Sequence, residues 1–145
     1  MDIAQIINAI VNLHPWHSTT VHFPIGLTGA AFLFILLARW RRNESLEHAA
    51  FFVIALAALS TIVAAITGIR DNLVRFEGTA PYVTVKIFLG ITLFLLTTSL
   101  AVTRWRKREV LWSPATTVLY LAGFAGSFLL AITLGFLGGV ILYGI

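Results

Sequence analysis

The chain is 145 residues long, and hydrophobic residues make up 59% of it against 11% charged residues. A soluble domain carries about 25% charged residues, so this composition excludes an ordinary water-facing globule and indicates a membrane protein. The formal net charge is +4, but the ten Lys and Arg residues are scattered among long apolar runs, which argues against a nucleic-acid-binding surface. The absence of cysteine excludes disulfides, thiolate metal ligands and thiol nucleophiles.

The first predicted element is a short amphipathic helix over about residues 2–13. Ile3, Ile6, Ile7 and Ile10 recur at the spacing of one helix face, with Asn8 among the polar residues opposite them. This segment is too short to cross a bilayer, and it lacks the basic start and the cleavage site of a signal peptide. We therefore expect an interfacial helix that stays in the mature chain.

Four long uncharged runs follow, and each can cross a bilayer as a helix. The predicted spans are about residues 23–40, 48–69, 83–104 and 114–143. Such continuous apolar runs lack the alternation of a β-barrel, and the short connections make neighbouring helices antiparallel. The sequence thus predicts a single all-α membrane domain, an up-down bundle of four transmembrane helices. We expect Asn43 to cap the second span and Ser113-Pro114 to open the fourth.

The distribution of basic residues predicts the orientation of the bundle. Seven of the ten Lys and Arg residues lie in the connections after the first and third spans, whereas Arg70, Arg75 and Lys86 lie at the opposite end. Because basic loops favour the cytoplasm, we expect a multi-pass protein of the bacterial inner membrane with both termini on the outer side.

Small residues recur at four-residue spacing along the last span, which places them on one helix face. They are Gly123, Ser127, Ala131, Gly135 and Gly139. Such a stripe permits close contact with another helix, either inside the bundle or in a neighbouring subunit. The motif is common in membrane helices, so it predicts packing and not a function.

The predicted outer end concentrates the polar side chains. His14, His17 and His22 lie within nine residues of sequence. The other polar residues expected at this end are Arg70, Asp71, Glu77, Lys86 and Tyr143. The histidines have two interpretations, because imidazole can ligate a metal or a b-type haem or can cap helix ends and bond to headgroups, backbone or Asp71. Lys86 either snorkels, pairs with Asp71 or Glu77, or binds an anionic lipid.

Three segments resemble the signatures of a bacterial membrane-protein family known as domain of unknown function 2231. The sequence HPWHSTTVHFPIGL over residues 14–27 is similar to the family's opening HPxHPxxVHFPIG. The sequence TGIRD over residues 67–71 resembles its TGxxD, and GGVILY over residues 138–143 resembles its closing GGxLVY. The resemblance covers nearly the whole chain.

Two departures from the family pattern bear on the cofactor hypothesis. Ser18 stands where members often have Pro, and Lys86 stands where many members have a His. If the histidines of the family jointly hold a haem or metal, this chain lacks one ligand. Some relatives are joined to Rieske-type iron–sulfur domains, which implies a setting in membrane electron transfer.

Three functions follow as hypotheses. The leading one is a small, non-catalytic accessory or structural subunit of a bacterial energy-converting complex, respiratory or photosynthetic. Its partners would be the bilayer and other membrane subunits or a second copy. The alternatives are a haem- or metal-binding redox protein that uses His22 with His14 or His17, and a quinone or lipid site formed by His22, Asp71 and Lys86. The sequence contains no catalytic triad, phosphate loop or zinc-protease motif, so we expect no enzymatic activity.

Overall fold

The computed structural model describes residues 2–143, with the side chains of all of these except residues 12, 13, 142 and 143. This part of the chain contains helices and no strands. The elements are α1 (Ile3–Asn8), a π-helical turn (Ala9–Leu13), α2 (Trp16–Thr20), α3 (His22–Arg41), α4 (Glu44–Phe76), α5 (Val83–Arg106) and α6 (Pro114–Tyr143).

Within residues 2–143, four helical stretches are long and apolar enough to cross a membrane. They are Trp16–Arg41, which joins α2 to α3, then Glu44–Phe76, Val83–Arg106 and Pro114–Ile141, with mean hydropathies from 2.0 to 2.6. The bilayer core holds no water, so backbone N–H and C=O groups there must form hydrogen bonds within the protein. A continuous helix pairs these groups within its own segment. The prediction of an all-α membrane protein is confirmed.

The long helices form a ring in chain order. α3 packs against α4 and α6, and α5 packs against the same two helices. The α3–α4 contact is built from small and branched residues repeated at helical spacing, because alanine lets two backbones approach closely. These residues are Ala31, Ile35 and Ala38 on α3 and Ala50, Ile54 and Ala57 on α4, all fully buried. Leu100, Tyr120 and Phe124 complete the core from α5 and α6.

Two helices begin at the residues that the sequence predicted. Asn43 caps α4, because its side-chain Oδ1 accepts a hydrogen bond from the Leu46 N–H at 3.0 Å, and α6 begins at Pro114. α4 however continues to Phe76, past the predicted end of the span at residue 69. The prediction stopped at the first charges, whereas the backbone turns only at Glu77, which has a left-handed φ of 50°.

The N-terminal segment differs in part from the single predicted helix. α1 and the π-helical turn cover residues 3–13, and Pro15 separates them from α2, which the sequence did not predict. No residue of α1 is buried, and Ile3 and Ile7 are 73% and 56% exposed. The apolar face of α1 therefore remains uncovered by the bundle, as an interfacial helix requires.

Candidate functional site

His17 fastens α2 onto α4 at one end of the bundle, which we name the His17 end. Its ring Nδ1 lies 2.9 Å from the carbonyl oxygen of Ala64, and its backbone N–H donates to Asp71 Oδ2 at 2.9 Å. The ring packs on Gly68 so closely that a Cβ there would lie 3.0 Å from both Cε1 and Nδ1. A glycine at this position therefore makes room for the imidazole.

The contact with Ala64 fixes the tautomer of the His17 ring. A carbonyl oxygen only accepts hydrogen bonds, so Nδ1 carries the proton. In neutral His17 the other nitrogen, Nε2, consequently keeps its lone pair. The ring can then accept a hydrogen bond or ligate a metal through Nε2, and the backbone carbonyl holds it in that orientation.

Asp71 caps the start of α2 from another helix. The residue before α2 is Pro15, whose side chain cannot accept a hydrogen bond from the first turn, and Asp71 supplies that acceptor to the His17 N–H. Asp71 is 5% exposed, and its Oδ1 accepts from Arg70 Nη1 at 2.8 Å. The Arg70 guanidinium also donates to the carbonyl oxygen of Val11. The carboxylate thus stabilises the junction of the π-helical turn, α2 and α4.

The two family-like segments at this end are one contact surface. Besides the bonds of His17, the hydroxyls of Thr20 and Thr67 lie 2.7 Å apart. Residues of the HPWHSTTVHFPIGL and TGIRD segments therefore bond to each other across α2 and α4. These contacts give His17 the role of docking α2 on α4.

The other two predicted histidines lie in different surroundings. His14 is exposed, its Nε2 lies 3.2 Å from the hydroxyl of Thr19, and its ring meets Trp16 edge-on at 6.0 Å between centroids. His22 is exposed at the first position of α3. Among the side chains that the structure describes, no three His, Asp or Glu residues converge as a metal site would require. A metal held jointly by all three histidines does not fit this arrangement.

Lys86 reaches the same end from α5. Its side chain is half-buried, and its Nζ lies 3.8 Å from where a Cβ on Gly138 of α6 would stand. The ammonium is also near enough to the His17 ring for their charges to interact. Asp71 bonds instead to Arg70 and His17, so the predicted Lys86–Asp71 pair is not formed.

Glu77 and Tyr143 are the remaining residues that the sequence predicted at the His17 end. Glu77 is exposed in the turn after α4, and it forms no ion pair with Lys86. The side chain of Tyr143 lies outside the part of the chain that the structure describes.

The small residues of α6 mostly face other helices of the same bundle. A Cβ on Gly123 would lie 2.7 Å from Leu100 of α5, and one on Gly135 would lie 2.6 Å from Ile25 of α3. Ser127 and Ala131 are buried between them, with exposures of 0% and 1%. A Cβ on Gly139 would meet nothing within 4 Å. Four positions of the stripe thus pack inside the bundle, and the fifth is open.

A buried ion pair that the sequence did not predict lies at the opposite end, which we name the Glu47 end. Glu47 of α4 accepts two hydrogen bonds from Arg104 of α5, through Nε and, at 2.7 Å, through Nη2. Their side chains are only 2% and 7% exposed. The guanidinium carbon lies 5.6 Å from the centre of the Phe51 ring, and Nη2 is 3.4 Å from Nε2 of His48. This pair joins α4 to α5.

The sequence does hold a signal for this pair. Glu47 continues the buried face that Ala50, Ile54 and Ala57 form on α4, and Arg104 lies four residues after buried Leu100 on α5. Their charge alone favours a water-facing position for both residues. The helical spacing of the apolar residues next to them would have placed them inside.

The comparisons with known proteins place the chain in one family. A family model described as predicted membrane protein (DUF2231) matches residues 13–144. No curated protein and no solved structure matches the chain significantly. The matched range includes both segments that meet at the His17 end and all four long helices. The chain therefore belongs to the DUF2231 family of predicted membrane proteins.

Proposed function

We propose that this protein is a small, non-catalytic accessory subunit of a bacterial energy-converting membrane complex, with both termini on the outer side of the inner membrane. The observation that carries the proposal is that the buried charged groups of the protein join its helices to each other. Asp71 docks α2 on α4, and the Glu47–Arg104 pair joins α4 to α5. Buried charges that bond to each other support a structural role, because a catalytic centre would leave such groups directed at a substrate.

The uncovered face of α1 offers a surface for a neighbouring subunit. Ile3 and Ile7 of α1 are 73% and 56% exposed, Ile10 of the π-helical turn that follows is 49% exposed, and α1 contributes no buried residue to the core. In the membrane interface this face meets either lipid or another protein. The electron-transfer setting comes from the relatives that are joined to Rieske-type domains, and it is carried into the proposal as an analogy.

Purification from native membranes tests this proposal. The tagged full-length chain is extracted in a mild detergent, and its mass and co-purifying proteins are determined. We expect a stable assembly with larger redox subunits, and a double variant Ile3→Ser and Ile7→Ser that lowers its yield. Ile62→Ser on α4, 43% exposed in a membrane span, is the matched control. A monodisperse monomer from native membranes would contradict the proposal.

A second candidate function, quinone or lipid binding at the His17 end, is favoured by Lys86. Its half-buried ammonium has no carboxylate among the described side chains as an ion-pair partner, and the tautomer of His17 leaves Nε2 as an acceptor nearby. An ammonium in the membrane interface that lacks an internal partner is suited to bond a carbonyl or phosphate oxygen.

Extraction and analysis of bound quinone and lipid tests this second function. We expect co-purifying quinone or phospholipid to fall in Lys86→Ala and to stay unchanged in Lys107→Ala, an exposed lysine at the Glu47 end. Equal content in wild type and Lys86→Ala would contradict it. An optical spectrum of the same samples without a Soret band would count against any haem at the histidines.

A further inference from the structure

A cavity at the Glu47 end is bounded by the start of α4, the end of α5 and the connection that follows. It measures about 230 Å³, and its lining is Glu44, Glu47, His48, Arg104, Arg108, Glu109 and Trp112. Because a candidate membrane-spanning helix begins here and another ends here, we expect the cavity to lie at the depth of the phospholipid headgroups. Trp105, 77% exposed beside it, is the kind of residue that anchors a protein at this depth.

The charges around this cavity are of both signs, and only some of them are compensated internally. Glu47 and Arg104 bond to each other. Glu44, Arg108 and Glu109 are exposed, and their side chains form no ion pair with another residue of the described range. The cavity thus offers one free guanidinium and two free carboxylates around a buried, neutralised pair.

We propose that this cavity binds the headgroup of phosphatidylethanolamine from the surrounding bilayer. The phosphodiester bonds to Arg108, because a guanidinium presents several donors to phosphate oxygens. The primary ammonium of the headgroup donates to Glu44 and Glu109, since an ammonium has three donors and a carboxylate only accepts. Each free charge of the cavity then faces an opposite charge of one zwitterion.

The same arrangement discriminates against the other common headgroups. Phosphatidylglycerol brings a negative charge alone, which Glu44 and Glu109 repel. Phosphatidylcholine brings a quaternary ammonium, which has no N–H to donate to the carboxylates. The expected order of affinity is therefore ethanolamine, then choline, then glycerol. This inference concerns the opposite end from Lys86, and it does not depend on the accessory-subunit proposal.

Native mass spectrometry of the delipidated full-length chain tests the proposal. The three phospholipids, with identical acyl chains, are titrated separately, and retained lipid is counted. We expect the wild type to retain phosphatidylethanolamine about tenfold more tightly than phosphatidylglycerol, the factor of one charge-assisted hydrogen bond. Equal or tighter binding of phosphatidylglycerol would overturn the proposal.

Variants at exposed positions test the recognition of the ammonium and of the phosphate separately. The double variant Glu44→Gln and Glu109→Gln should abolish the preference for ethanolamine over glycerol, whereas Arg108→Gln should weaken all three lipids. Arg42→Gln, an exposed arginine at the same end that does not line the cavity, is the control. A preference that survives the double variant would overturn the proposal, as would a loss equal in the control.

One further titration distinguishes a bilayer lipid from a soluble molecule that carries the same phosphate and ammonium groups. Free phosphoethanolamine is added at the concentrations used for the lipid. We expect it to displace no bound lipid, because it lacks the acyl chains that hold the headgroup at the cavity. Displacement at equal concentration would show that the site takes a soluble phosphoethanolamine, and it would overturn the assignment to a bilayer lipid.

Discussion

Removing the charge of Glu47 should destabilise the bundle far more than removing an exposed charge from the same helix. In Glu47→Gln the Arg104 guanidinium loses the carboxylate that bonds to it, while its side chain stays only 7% exposed. Breaking a buried ion pair on one side typically costs about 3–5 kcal/mol of the free energy of unfolding. The pair lies beside a cavity near the membrane interface, so we expect the lower end, about 3 kcal/mol.

This magnitude distinguishes a buried ion pair from an ordinary interhelical hydrogen bond. Neutral interhelical bonds in membrane proteins average about 0.6 kcal/mol, since the separated helices find other partners in the membrane. A cost of about 3 kcal/mol for Glu47→Gln would therefore come from the uncompensated charge and not from the lost bond. Replacing both partners, as Glu47→Met with Arg104→Met, should restore stability to within about 1 kcal/mol of the wild type.

Equilibrium unfolding in mixed micelles with increasing SDS, followed by circular dichroism, measures these differences. Glu44→Gln is the matched control, because Glu44 is exposed on the same helix turn, and it should change stability by less than about 0.5 kcal/mol. A double variant as unstable as Glu47→Gln, or a single variant indistinguishable from Glu44→Gln, would refute the reasoning.

Three further perturbations test the contacts of the other helices. Gly68→Ala should displace the His17 ring and lower hydrogen-exchange protection over α2, whereas Gly26→Ala, with nothing within 4 Å of its Cβ, should leave that protection unchanged. Gly135→Leu should lower stability by about 1–3 kcal/mol through overpacking against Ile25 of α3, and Gly90→Leu, in open space, should not, as measured by SDS unfolding. Asp71→Asn should cost about 1 kcal/mol and should weaken exchange protection in α2 without altering α5, because it weakens the cap of α2.

The membrane spans and the cap of α4 at Asn43 could be predicted from the sequence. Continuous uncharged segments determine which stretches enter a bilayer, so the four helices and the cap at Asn43 followed directly. Bonds within one helix are local in the same sense, since the buried hydroxyls of Thr28 and Thr97 bond to carbonyl groups of their own helices at 2.7 and 2.8 Å. These are local properties, which depend on residues three or four positions apart.

The pairing of residues far apart in the chain could not be predicted in the same way. The sequence grouped His14, His17 and His22 by proximity, but α2 directs His17 towards α4, 47 residues away at Ala64. It left Asp71 open between Lys86 and the histidines, because a capping role for α2 requires knowing that α2 exists and where it begins. Which polar side chains meet is set by helix docking, and the sequence alone does not provide the rotation of each helix.

The two buried polar contacts, Asp71–His17 and Glu47–Arg104, each join α4 to another helix. They determine how far the partner helices are shifted along α4. In a bilayer the apolar faces of helices pack with little preference for one sliding position, because lipid tails are as apolar as leucine side chains. Apolar contacts of this kind only weakly restrict a shift of α5 along α4 by one turn. A hydrogen-bonded ion pair does not tolerate it, because a shift of about 5.4 Å separates the partners. Glu47–Arg104 thus selects the register of α5 on α4, and Asp71–His17 selects that of α2 at the other end.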